Sequence, residues 1–325
     1  MRHMQLRTKV LRASQDSDSR WTLVFTRTDE RGRHEPRSQV QDRRFDYLVV
    51  CNGLFSEPLI PEYSGAGEFT AAGGQLIHTS QLRSVDLAKG KRVAVVGFGK
   101  SALDVATALS HVSTSTTIIA RRLIWKLPRV LMNVLPYQYL LLTRFGEAVF
   151  SCTKRGPVSG AFSMIRRTVM AALGWVADRQ NGLSQLNLVP KGDFGTISCS
   201  NFSLTTNDFF QQVRAGSISV HRDQQIANLG RSADGQPCAS LCDGTLLQVD
   251  AIIAGTGWRQ NASFLDEHTL SRITETTSEG RKFVLYRSIK PPSMDHIYFN
   301  GYGASMFCPL TAGVYLSDHT RPSGR

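Results

Sequence analysis

The sequence predicts an α/β fold, and three observations carry that prediction. Short apolar runs end repeatedly in glycine turns: residues 45–51 (FDYLVVC) in Asn52-Gly53, residues 249–254 in Gly255-Thr256-Gly257, and residues 296–299 in Asn300-Gly301. Runs of this length read as strands buried on both faces, and ligands of open α/β sheets sit beyond the C-terminal ends of such strands. A further apolar run, residues 93–96, leads at once into a glycine turn, a helical pattern and another strand at residues 116–120. That is a strand–helix–strand unit of about thirty residues. Finally, 41% of the 325 residues are apolar and 20% charged, an ordinary globular balance that excludes pervasive disorder and disulfide-dense scaffolds. The length allows about two average domains.

In chain order, residues 1–16 carry charge without an apolar core segment, so no secretory signal is read there. A cytoplasmic location is the expectation. Residues 4–11 and 21–28 are extended candidates separated by a polar turn at 14–19. The charged stretch 28–44 is expected as an exposed hairpin loop, and 45–51 as a buried strand. Residues 54–90, rich in Pro and Gly, read as an irregular linker or domain crossing. The longest apolar stretch, 130–142, is interrupted by Asn133, Pro136 and Gln138. It falls short of the roughly 18–20 residues a bilayer span requires and is expected as a buried helix or a substrate-channel lid. Peripheral membrane contact, through Lys126, Arg129 and Arg144, is the lesser reading. Residues 207–214 read as a short helix capped by Thr205 or Thr206, stopping at Gly216 before a strand at 217–221. A polar hairpin follows at 232–247.

Lys and Arg number 38 against 26 Asp and Glu, a formal net charge of +12. Such a balance favours anionic ligands. The charge is scattered, however, with its densest runs at Arg31/Arg33/Arg37, Arg43/Arg44 and Arg121/Arg122. It lacks the aromatic interleaving of a single-strand binding surface, so no nucleic-acid partner is read. The six cysteines are dispersed. Cys238 and Cys242 have neither a second pair nor a nearby histidine, so no metal site is read. The absence of a CxxC motif argues against a disulfide reductase.

The segment Gly97-Phe98-Gly99-Lys100-Ser101-Ala102 follows the pattern G-x-G-x-x-G/A between a strand and a helix, the context that makes this pattern a dinucleotide-binding signal. Gly97 permits the tight turn, Gly99 lets backbone approach a pyrophosphate, and Ala102 allows close helix–strand packing. The N–H groups around Lys100 and Ser101 would face an anion at a helix N-terminus. A tight turn in some other α/β fold is the alternative. NAD sites place a carboxylate about 20 residues beyond the glycines. Here no Asp or Glu occurs between Asp104 and Glu147, and Arg121-Arg122 follows the second strand instead. A guanidinium there can hold a 2′-phosphate. At about 1.5–3 kcal/mol per charged hydrogen bond, that is a preference of about tenfold to a hundredfold for NADP(H). Solvated loop arginines are the alternative.

Five segments in order, FDYLVVCNG, GGQLIH ending in His78, VAVVGFGKSALD, VDAIIAGTGW and HIYFNGYG, give a chain that resembles the flavin-containing monooxygenases, within the wider group that includes Baeyer–Villiger monooxygenases and N-hydroxylases. The resemblance runs from about residue 20 to about residue 309. It implies two dinucleotide-binding (Rossmann-like) domains, the NADPH domain inserted into an incomplete FAD-type domain. Residues 1–85 would be the β-rich part of the FAD-type domain. Residues 86–258 would be the NADP(H) domain, with a mostly helical insertion at 123–195, and residues 259–325 the return. FAD and NADPH are the implied cofactors, with Gly53, Gly255, Gly257 and Gly301 at the strand ends that touch them.

In the implied chemistry NADPH reduces FAD, and a flavin hydroperoxide passes one oxygen of O2 to a small-molecule amine, sulfide or carbonyl. No side chain is named as acid, base or nucleophile. The chain departs from the family pattern at Ala72 and Leu82, where aromatics are expected. Residues 1–50 hold a single glycine, Gly32, and no phosphate-gripping loop for FAD. The expectation is a truncated member that binds FAD weakly unless a complementing chain or a second copy supplies that unit. The alternative is a non-catalytic NADP(H)-binding remnant.

Overall fold

The computed structural model describes residues 4–29, 39–53, 55–141, 143, 159–192, 194, 202–277 and 280–302. They fall into two compact units, residues 58–257 and residues 1–57 with 258–325.

The first of these is built on a five-stranded sheet in the order Ile218–Arg222, Ser115–Ala120, Arg92–Val96, Ala251–Ala254, Gln75–His78, every neighbouring pair parallel. The central strands are apolar on both faces, as a parallel sheet covered on both sides requires: Val93, Ala94, Val95 and the whole of Ala251–Ala254 are buried. Helix Lys100–Ser110 turns Ala102, Leu103, Ala106 and Leu109 inward, a one-face spacing, and packs on the Arg92 and Ser115 strands. A second layer is the antiparallel meander Ile226–Arg231, Pro237–Leu241, Leu246–Gln248. Its Leu229, Ala239 and Leu241 share a core with Phe69, Ala94, Ile119 and Ile252. At the sheet's other end Arg92 grips Asp250, Nη2 to Oδ1 at 2.6 Å and Nε to Oδ2 at 3.0 Å, while the Arg92 N–H donates to Oδ2 at 2.7 Å.

Several local expectations change. Residues 54–90 are not a plain linker: they contain helix Ala66–Ala71 and the strand Gln75–His78. That strand pairs with Ala251–Ala254 from Gln75↔Ala251 to His78↔Ala254, which moves the first unit boundary from 85/86 to 57/58. The short helix begins at Phe209, not 207. Asp208 precedes it at φ 63° without a side-chain cap, and the Thr206 hydroxyl bonds Asp104 instead, at 2.6 Å. The insertion at 123–195 does contain the long helix Ser159–Asn181, but also the strand Trp125–Leu127 and the hairpin Val130–Leu131/Leu135–Pro136. The stretch 130–142 is therefore no buried helix. Met132 and Asn133 make the turn at φ 51° and 59°, and Val134 and Tyr139 are exposed. Residues 144–158 lie outside the described residues. No helix among the described residues is long and apolar enough to cross a membrane.

In the other unit the strands Thr8–Gln15, Trp21–Arg27 and Gln41–Phe45 form an antiparallel sheet. The end of the expected loop at 28–44 is thus a third strand; its residues 30–38 lie outside the described residues. Leu48–Val50 pairs in parallel with Ile297–Phe299. Only Leu48 and Val50 of residues 45–50 are buried, while Phe45, Tyr47 and Val49 are exposed, so the strand buries one face, not two. Trp21 is buried in the core with Ile273, Ile297 and Phe299, and its Nε1 donates to the His296 carbonyl at 2.8 Å. Helix Glu267–Ile273 is capped by Asp266, which accepts from the Thr269 N–H at 2.7 Å.

The hydrogen-bonded Arg92 guanidinium holds the Asp250 carboxyl below its usual range. A depressed folded value means that the pair stabilises fully above the ordinary carboxylate pKa and is lost as pH falls through the depressed one. Asp250→Ala is expected to lower the unfolding free energy near pH 7 by about 1–3 kcal/mol. In urea titrations the difference from wild type should shrink as pH is taken below the ordinary carboxylate range.

Candidate functional site

The glycine turn stands at the C-terminal edge of the five-stranded sheet, where three small residues interlock. Gly97 has φ +116°, and a Cβ on it would lie 2.5 Å from the Gly255 carbonyl oxygen. A Cβ on Gly255 would lie 2.6 Å from the Ala102 Cβ. The Gly97 N–H donates to the Ile119 carbonyl at 2.9 Å and the Gly255 N–H to the Val96 carbonyl at 2.8 Å. Gly255, singled out with the ligand-facing strand ends, is occupied in holding the loop close to the sheet. Gly257, at φ +89°, turns its carbonyl to accept from His78 Nε2 at 2.9 Å and from the Leu59 N–H at 3.0 Å. A carbonyl only accepts, so Nε2 carries the proton, and Nδ1 accepts from the Ser80 N–H at 3.2 Å. His78 is fully buried and holds a turn.

Gly99 is different. It is the N-cap of helix Lys100–Ser110 at φ −73°, and nothing lies within 4 Å of the position a Cβ would take. The first N–H groups of the helix, Gly99 to Ala102, have no intrahelical acceptor and carry the positive end of the helix dipole. Ser101 is exposed and Ala102 buried. The Lys100 ammonium does not stand free: it pairs with Asp104 and donates to the Thr206 hydroxyl at 3.2 Å. Backbone, more than that ammonium, is what this turn presents to an anion. Arg121 and Arg122 follow Ser115–Ala120 directly and are exposed. They come just after Ile119, whose carbonyl receives the Gly97 N–H. Loop, orphan donors and guanidiniums thus share one sheet edge, and the open face at Gly99 fits the phosphates of a dinucleotide.

In the other unit Gly53 and Gly301 stand at the ends of the paired strands Leu48–Val50 and Ile297–Phe299, at φ +74° and +79°, with nothing within 4 Å of either Cβ position. The Asn300 N–H donates to the Val50 carbonyl at 2.8 Å. The Tyr302 hydroxyl donates to Asn52 Oδ1 at 2.5 Å, and Asn52 Nδ2 donates to the Asn261 carbonyl at 2.7 Å. Burial pushes the Tyr302 phenol up to about 12. Among the described residues of its unit no helix N-terminus follows the Gly53 turn, so that turn does not by itself fit the pyrophosphate of FAD.

Sequence reasoning set Lys126 on a surface for peripheral membrane contact, but it is fully buried and faces no membrane; the Lys100–Asp104–Thr206 cluster it passed over. The signal for Lys126 was its place between Trp125 and Leu127 in an apolar triplet. Thr206 is far from Asp104 in sequence and carried no signal.

The flavin-binding monooxygenase-like family model matches residues 1–188. The chain belongs to this family. It is 26% identical over 303 residues to flavin-containing monooxygenase 3 of Macaca mulatta, an alignment covering 91% of this chain and 49% of that protein. Its fold is like that of the flavin-containing monooxygenase from Stenotrophomonas maltophilia (TM-score 0.56, 16% identity, 98% of this chain and 70% of that one). It is also like the OTEMO complex with FAD and NADP (TM-score 0.59, 16% identity, 98% and 68%). This flavin monooxygenase-like chain spans about half the length of the curated relatives that it matches, 49% for the macaque protein.

The two glycines of the edge make opposite stability predictions. Gly255→Ala forces a Cβ into Ala102 and is expected to cost about 1–3 kcal/mol of unfolding free energy. Gly99→Ala meets open space and is expected to cost no more than about 1 kcal/mol, the loss of a glycine N-cap. Urea denaturation of the two variants measures both.

Proposed function

We propose that this chain binds NADP(H) at the Gly97–Ala102 turn, with Arg121 and Arg122 on the 2′-phosphate. It would serve as an NADPH- and FAD-dependent monooxygenase that transfers one oxygen of O2 to a small amine, sulfide or carbonyl substrate. The observation that carries the coenzyme half is the open face at Gly99 beside unsatisfied helix N–H groups, on the same edge as two exposed arginines that have no ion-pair partner among the described residues. Family membership supports the oxygenase half, as does a fold shared with a structure that holds FAD and NADP.

In this reading the chain's own residues bind and orient. The turn's N–H groups hold the pyrophosphate, Gly97, Ala102 and Gly255 keep the turn tight against the sheet, and the arginines select the phosphorylated ribose. No acid, base or nucleophile is assigned. The turns at Gly53 and Gly301 would border a flavin whose phosphates are held by other residues. The Gly53 turn, with no helix N-terminus after it among the described residues of its unit to hold a flavin phosphate, also supports a second reading, NADP(H) binding without catalysis.

A purified sample separates the two. A yellow protein absorbing near about 450 nm, as oxidised flavins do, and consuming NADPH supports the monooxygenase. A colourless protein that still binds NADPH supports the second reading. Within either, Arg121→Ala is expected to weaken NADPH about tenfold or more and to leave NADH within about twofold. Equal losses for both coenzymes would remove the 2′-phosphate assignment. Gly99→Ala, although nearly neutral for stability, is expected to weaken both coenzymes about tenfold, read by fluorescence titration.

A further inference from the structure

Lys126 is the middle residue of the strand Trp125–Leu127, all of it buried, and its own exposure is 0%. Its ammonium donates to the Phe98 carbonyl at 2.5 Å and lies 5.1 Å from the centre of the Phe98 ring. Phe98 is the residue between the two glycines of the turn. The Lys126 main chain is fixed as well, its carbonyl accepting from Asn181 Nδ2 at 2.8 Å. Taking an ammonium out of water costs several kcal/mol. A methionine would fill the same space.

The geometry supplies a use. A trans peptide is planar, with its C=O and N–H pointing in opposite directions. With the Phe98 carbonyl tied to Lys126 on the buried side, the Gly99 N–H of the same peptide is aimed away from it. That N–H stands at the helix N-cap, where the turn is open.

We propose that Lys126 is a positioning residue for the coenzyme: it fixes the Phe98–Gly99 peptide so that the Gly99 N–H meets the pyrophosphate, and it sets a positive charge behind the turn. This rests on the NADP(H) reading above.

Two charged groups of the glycine-turn helix act on Lys126. Lys100 disfavours its ammonium and Asp104 favours it, while burial disfavours it most, bringing its pKa down to about 7. From the long helix Asn181 is neutral, and the paired strand Phe202–Leu204 has no titratable residue. The coenzyme-free chain therefore holds Lys126 less fully charged near neutral pH than an exposed lysine. A pyrophosphate anion bound at the turn favours the ammonium and raises that value. Binding then takes up a proton, and affinity, full below about 7, falls as pH rises toward the raised value.

The test is calorimetric titration of NADP+ into the whole chain, wild type, Lys126→Met and Lys126→Arg, at about pH 7 and about pH 8.5. The 2′-phosphate, with its second pKa of about 6, is almost wholly dianionic across this range. Wild type is expected to bind about tenfold more weakly at the higher pH, and Lys126→Met to start about tenfold weaker and to show no such slope. Lys126→Arg, always charged, should keep wild-type affinity and lose the slope. In buffers of different ionisation enthalpy, wild type should take up a proton on binding; this readout needs no variant and decides the matter if Lys126→Met does not fold. Wild-type binding without proton uptake, or a variant that loses affinity yet keeps the wild-type slope, overturns the role of Lys126 and leaves the coenzyme reading standing. A wild-type chain that does not bind NADP+ overturns both.

Discussion

The close approach of Gly97 to Gly255, with Ala102 packed against the latter, is the contact on which the five-stranded unit depends. It brings the turn after one central strand against the turn after its neighbour, leaving no room for a single added methyl group. Because interiors are packed to crystal-like density, that approach fixes the position of the first helical turn. The turn in turn fixes where the unsatisfied N–H groups stand. The packing of three small residues and the open face at Gly99 are one constraint read from two sides: glycines that must be small to let protein in, and a glycine that leaves space for something else.

The strands that bear this edge were legible because buried parallel strands are locally distinctive. Residues 93–96, 116–120 and 249–254 are short, apolar and rich in β-branched side chains, and all appear as strands within a residue or two. The glycine turn was legible for the same reason, since its spacing follows from phosphate and helix geometry. Gln75–His78 was not. It has four residues, begins with a polar one, and becomes a strand through Ala251–Ala254, far along the chain. The cap of the Phe209 helix was misread because Thr206 has a stronger local option in view, Asp104, which only the tertiary structure brings near. The exposed hairpin at 130–136 was misread because hydrophobicity without periodicity does not say which way a segment faces.

Charge on this edge is arranged by depth. Arg121 and Arg122 stand in solvent, where screening leaves them weak except toward an anion held at short range. Lys100 is spent on Asp104 and Thr206. Lys126 lies beneath the turn in a medium that amplifies its field. In the proposed coenzyme site, selection between phosphorylated and plain ribose and grip on the pyrophosphate would fall to different side chains, at different distances from water.

The edge strand Gln75–His78 also bears on how the chain acquires its shape. Its only sheet neighbour, Ala251–Ala254, is also the neighbour of Arg92–Val96. On a ribosome, the segment at 75–78 and the three strands that can pair earlier must wait with two backbone edges open until residue 254 has emerged. Pairings this remote close slowly. The late arrival of one four-residue strand, sliding between two that are already made, is the step that turns an open β-layer into a finished one.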